Sequence, residues 1–238
     1  MKPLGRRAVA LLGLAALTTT MILMSRGGSA LTRPSDFYKD TIKSEVELTT
    51  KDIGGKENAL GNLVTDAMRA ATKSDIAFLA ASYFNSDYKV AKGDIMTSDV
   101  LKSLEFAGDN LALVNLTGAQ IIKALEHGLF LYPKPSSGFL HFSGLEVTIS
   151  GDGDRGKRVL SVKVGGDALE PGKSYKVVMP APLANGALAY FKVWKKEDID
   201  KKSEKDLDGK TLETALKDFL KNKKKLEKGD ERLTVKGK

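Results

Sequence analysis

The sequence contains no cysteine and only two histidines, His127 and His141, among 238 residues. Without cysteine there can be no disulfide framework, thiolate zinc site, iron–sulfur cluster, cysteine nucleophile or cysteine-linked lipid anchor. Two histidines are too few for a multi-histidine metal site or a dense acid–base relay. A Ser-His-Asp triad is arithmetically available, but no G-x-S-x-G elbow presents a serine for it. An Arg-rich stripe with interleaved aromatics is also lacking, so a nucleic-acid-binding core is not expected.

What is present is 42% hydrophobic and 29% charged residues, the balance of a soluble globular protein. The net charge of +8 lies at the two ends. Residues 1–30 carry Lys2, Arg6, Arg7 and Arg26 and no acid, and residues 195–238 carry 15 basic and 11 acidic side chains. The 164 residues between hold 19 of each sign and are neutral.

The first thirty residues have the parts of an export segment: a basic start, an apolar run from Ala8 to Met24, and the small-residue stretch Arg26-Gly-Gly-Ser-Ala30. Two outcomes stay open, a signal peptide cleaved after Ala30 or an uncleaved N-terminal membrane anchor. Either places the rest of the chain outside the cytoplasm, periplasmic or extracellular. The membrane is then a partner only through this segment.

Residues 31–43 are polar and aperiodic and are assigned to a linker. Ser44 to Thr50 alternates with period two, as a half-buried strand does. From Glu57 to Thr72 the apolar residues Leu60, Leu63, Val64, Ala67, Met68 and Ala71 recur at three- and four-residue steps, predicting an amphipathic helix. Ile76 to Ala81 suits a buried strand. A short helix over Ser98 to Leu104 and a strand over Leu111 to Leu116 follow. Thr117 and Gln120 have capping-box spacing and open a helix to about Leu129. Leu140 to Ser150 and Val159 to Val164 are predicted as two strands of a hairpin closed by Gly151-Asp-Gly-Asp-Arg-Gly156. Lys176 to Met179 is a further strand, and Thr211 to Lys225 a helix with the stripe Leu212, Leu216, Phe219 and Leu220. The fold class is α+β, or mixed α/β, with one domain over 44–194 and a charged C-terminal extension over 195–238. Asp152, Asp154 and Arg155 belong to a turn and have no partner base, so they are not taken as catalytic. Both histidines are assigned structural roles.

The segments Glu57-Asn-Ala-Leu-Gly-Asn-Leu-Val-Thr-Asp-Ala-Met-Arg69, Ser74-Asp-Ile-Ala-Phe-Leu79, Gly93-Asp-Ile95, Asn115-Leu-Thr-Gly-Ala-Gln120, Ala124-Leu-Glu-His127, Gly138-Phe-Leu-His-Phe-Ser-Gly-Leu145 and Tyr175 to Gly186 occur in one order. In wording and order they resemble the C-terminal domain of the 5'-nucleotidases. The resemblance implies that domain's fold and a role in nucleotide catabolism. In the family a separate metallophosphoesterase domain holds two metal ions, while the C-terminal domain stacks the nucleoside between two aromatic rings and helps bind phosphate. This sequence has no Asp-x-His or Gly-Asn-His-Asp motif, so no catalytic residue, metal or cofactor is assigned and it is not expected to hydrolyse phosphate esters alone.

Carried over residue by residue, the resemblance assigns one stacking ring to Phe106, the base-contacting Asn to Asn110, and the glycine-rich turn to Asn185 and Gly186. Tyr83, Phe84 and Tyr88 are candidates to assist. The family's phosphate-binding Arg corresponds to Asp87, its second ring to Pro182, and its ribose-binding Asp falls within Ala187-Leu-Ala189. No Arg lies between Pro34 and Met68 to supply the upstream phosphate contacts. Two readings follow. One is an exported pseudoenzyme with a degenerate nucleotide site. The other is a nucleoside- or nucleotide-binding subunit that uses Phe106 and serves a separate metallophosphoesterase chain.

Overall fold

The computed structural model describes residues 41–201, 207–229 and 231–237, all within one unit spanning Asp40–Lys238. The export segment expected over residues 1–30 and most of the expected linker lie outside the described residues. β1 (Thr41–Ser44) begins inside the segment assigned to the linker, and β2 (Leu48–Thr49) follows it. The helix α1 (Ala59–Thr72) starts at Asn58, whose side chain accepts from the Gly61 amide at 2.8 Å, and it ends at Lys73 in the left-handed conformation. Its apolar stripe, Leu60, Leu63, Val64, Ala67 and Met68, is buried.

β3 (Ile76–Ala80) is buried at all five residues, which explains its unbroken apolar run. β4 (Lys89–Val90), β5 (Gly93–Met96) and the short α2 (Thr97–Leu101) lead to β6 (Leu111–Thr117). The capping box forms between Thr117 and Gln120, and α3 (Gly118–Gly128) runs from it. The single strand predicted over 140–150 is two strands, β7 (Leu140–Ser143) and β8 (Leu145–Ser150). Gly144 separates them at φ +83°, where an added Cβ would lie 2.1 Å from the Asp75 carbonyl oxygen. Only glycine fits a turn that close to a neighbouring backbone.

β9 (Val159–Val164), β10 (Asp167–Ala168), β11 (Ser174–Pro180), α4 (Ala181–Ala184), α5 (Leu212–Leu220), β12 (Lys225–Leu226) and β13 (Leu233–Lys236) complete the chain. The central sheet has the order β6-β11-β3-β7, with β11 and β3 parallel and the outer pairs antiparallel. A second sheet has the order β10-β9-β8-β13, a third β12-β1-β5, and β2 pairs with β4.

The segment that the sequence sets apart at Lys195 as a charged extension is woven into these sheets. β12 lies parallel to β1 and β13 parallel to β8, and α5 packs on α1. Leu207, Leu212, Ala215, Leu216, Leu220 and Leu226 join the core. In α5, Lys217 and Asp218 are exposed while Leu212, Leu216 and Leu220 are buried.

Candidate functional site

Parallel β3 and β11 end at the same edge of the central sheet, and antiparallel β6 begins there, with Leu111 opposite Pro180. Three connections therefore emerge together: residues 81–87 after β3, 105–110 before β6 and 181–192 after β11. The Ala181 amide donates to the Asn110 carbonyl at 2.8 Å and ties the second connection to the third.

Phe106 is 50% exposed, and its ring meets the Tyr83 ring edge to face at a centroid distance of 5.8 Å. Tyr83 is buried and donates its hydroxyl to Asp109 Oδ2 at 3.1 Å. Burial, then the Asp109 charge, pushes the Tyr83 phenol well above its ordinary value. Tyr83 is thus a neutral strut that holds Phe106 from one side and leaves the other open to solvent. Asp109 closes the turn by donating its amide to the Phe106 carbonyl at 3.1 Å.

The remaining rings face elsewhere. Phe84 is buried against His141, and Tyr88 donates its hydroxyl to the Asp99 carbonyl at 2.8 Å. Asn185 donates its side-chain amide to the Ala181 carbonyl at 2.8 Å, closing the turn of α4 on itself. Gly186 sits at φ +90°, and a Cβ there would lie 2.7 Å from the Phe191 Cβ. Asp87 is exposed at φ +54°, and among the described residues it makes no ion pair.

Leu188 and Ala189 both adopt the left-handed conformation, at φ 55° and 63°. Their strain is held by the His127 imidazole, whose Nε2 donates to the Leu188 carbonyl at 2.9 Å. Ala189→Gly is therefore expected to stabilise the protein by about 1 kcal/mol, measured as the shift in urea midpoint.

His141 is fully enclosed, with Nε2 donating to the Ile53 carbonyl at 2.8 Å and Nδ1 directed at Gly61. Burial pushes its pKa down to about 4. Both histidines are engaged with backbone, as a structural role requires. Among the described residues no group of three His, Asp or Glu side chains could hold a metal ion.

The family described as 5'-nucleotidase, C-terminal domain, matches residues 40–195. The chain belongs to the 5'-nucleotidase C-terminal domain family. The chain is 35% identical over 111 residues, 46% of its length, to the trifunctional nucleotide phosphoesterase protein YfkN of Bacillus subtilis, of which it covers 8%. It is 31% identical over 172 residues, 68% of its length, to the cell wall protein Lmo0130 of Listeria monocytogenes, of which it covers 21%. Among solved structures, the 5'-nucleotidase precursor of Thermus thermophilus superposes with a TM-score of 0.70 at 28% identity, over 82% of this chain and 39% of that one. The NAD nucleotidase NadN of Haemophilus influenzae shares the fold with a TM-score of 0.64 at 14% identity, over 84% of this chain and 37% of that one. This 5'-nucleotidase C-terminal domain thus spans well under half the length of each.

Phe106 and Asn110 lie in the connection before β6, at the edge of the central sheet where β3 and β11 end. Phe191 escaped the sequence reading. It is 63% exposed, beside Gly186, in the kinked helical turns over Ala187–Lys192. No spacing in the sequence marks it, because its outward position depends on the tertiary anchoring of Tyr190 and Trp194.

Proposed function

We propose that this chain is an exported, non-hydrolytic member of the family whose nucleotide site is degenerate and which acts through another protein or at the envelope surface. The observation that carries the reading is Asp87, an exposed carboxylate without an ion pair among the described residues, where the family resemblance places a phosphate-binding Arg. Two unit charges of like sign about 4 Å apart repel by roughly 1 to 4 kcal/mol between water and a protein surface, which offsets most of what one stacked ring supplies. Leu188 in the ribose-binding turn and Pro182 in place of the second ring point the same way. Export is supported by the basic start and apolar run of residues 1–24, by the cell-wall description of the Listeria relative and by the precursor form of the Thermus one.

The half-exposed ring of Phe106, braced by Tyr83, favours the second reading, a nucleoside-binding subunit for a separate metallophosphoesterase chain. Calorimetric titration with adenosine separates the two. The degenerate site gives no saturable heat up to millimolar ligand. Micromolar binding that Phe106→Ala abolishes would establish the subunit instead.

A further inference from the structure

Tyr190, Phe191 and Trp194 follow the strained turn at 186–189 and divide sharply. Tyr190 and Trp194 are buried, stacked nearly parallel at 4.7 Å with 12° between their planes. The Tyr190 hydroxyl donates to the Gly138 carbonyl at 2.8 Å, and the Trp194 indole donates to the Leu183 carbonyl at 3.1 Å. His127 packs edge on against Tyr190 at 4.5 Å. These bonds fix the turn and leave Phe191 facing outward with no ring partner among the described residues.

Beside Phe191 lies a cavity of about 330 Å³ lined by Ala184, Asn185, Phe191, Trp194, Lys195, Lys196 and Glu197. That volume is at the lower end of small-molecule sites. Two ammonium groups stand against one carboxylate. None of the three makes an ion pair among the described residues, so the lining carries one net positive charge. Asn185 has its amide nitrogen engaged by Ala181, leaving its carbonyl oxygen as an acceptor at the rim.

We propose that this cavity binds a small planar aromatic acid, a ring stacked on Phe191 with its carboxylate or phosphate held by Lys195 and Lys196. The ring gains from an exposed aromatic face carried on an anchored turn, and its anion meets two cations that make no ion pair among the described residues. The site is independent of Phe106. It uses no residue that the family resemblance assigns to a ligand other than Asn185.

Trp194 is the only tryptophan of the chain, so its indole N–H gives a single assignable signal in a ¹H–¹⁵N spectrum, from a ring that lines this cavity. Titration of the full chain with phenyl phosphate and with benzoate is expected to shift that signal saturably, with dissociation constants of about 1 mM or tighter. The two arms tell phosphate from carboxylate preference, and inorganic phosphate and benzyl alcohol should each shift it far less. Phe191→Ala is expected to weaken binding roughly tenfold or more, and Lys196→Met to weaken it also. Glu197→Gln should tighten it by removing the opposing charge. Phe191 and the charged side chains are exposed, so these variants fold. No saturable shift, a shift unchanged in Phe191→Ala, or weaker binding in Glu197→Gln would overturn the proposal.

Discussion

A chain truncated after Trp194 is expected not to fold, although residues 40–195 are the part that matches the family. Truncation removes Leu207, Leu212, Leu216, Leu220 and Leu226, all buried, and strips the α1 face that α5 covers. At about 2 kcal/mol for each buried leucine the loss is on the order of 10 kcal/mol. That equals the entire stability of a typical domain.

Smaller changes test the same dependence. Leu216 is fully buried, and Leu216→Ala is expected to cost roughly 3 kcal/mol through lost transfer energy and the cavity left behind. Arg232, from the strand-forming end of the segment, donates to Asp66 Oδ2 at 2.6 Å and to the Phe142 carbonyl at 3.1 Å. Asp66 in turn accepts from Ser143 Oγ at 2.6 Å, and Ser143 Oγ accepts from Arg69 Nε at 2.8 Å. The ion pair is 18% and 31% exposed, so removing one partner leaves a mostly desolvated charge. Arg232→Ala is expected to cost roughly 3 kcal/mol. Circular dichroism and urea midpoints read each loss. A cooperative transition in the truncated chain would contradict this view of the segment.

Acidification from pH 7 to pH 4 is expected to remove about 3 kcal/mol of stability through His141 alone. Its pKa is pushed down to about 4 in the fold, whereas in the unfolded chain it returns to an ordinary 6.5. Below pH 6.5 the unfolded chain therefore takes up a proton that the folded chain refuses. The contribution of neutral His141 is complete above the unfolded pKa and is lost at about 1.4 kcal/mol per pH unit down to about pH 4. The cause is local, since Gly61, Phe84 and Phe139 enclose the ring and among the described residues the Ile53 carbonyl alone partners it. NMR titration should place the His141 pKa below about 5, and His141→Asn should flatten the stability profile between pH 6.5 and about pH 4. An ordinary imidazole pKa in the folded state would contradict the burial argument.

Elements whose cause is local were legible in the sequence. The stripe of α1, the apolar run of β3 and the Thr117–Gln120 box need only neighbours within a few residues, and each forms close to where the pattern places it. The break at Gly144 was hidden because its cause is the Asp75 carbonyl, nearly seventy residues away in the chain. β12 and β13 were hidden for a related reason. They are two and four residues long, and β13 is mostly exposed, so no alternation marks them and only pairing with β1 and β8 defines them.

At the candidate site, Phe106 and Asn110 were singled out by the family resemblance. Phe191 was not. What turns it outward is the anchoring of Tyr190 to Gly138 and of Trp194 to Leu183, contacts that no spacing in the sequence discloses.

This domain keeps the family fold and is expected not to hydrolyse phosphate esters by itself. The decisive measurement follows phosphate release from AMP by the purified chain with divalent metal supplied. Release at the buffer background is the expected result. Release above background that co-purifies with the chain and stops on chelation would contradict the account.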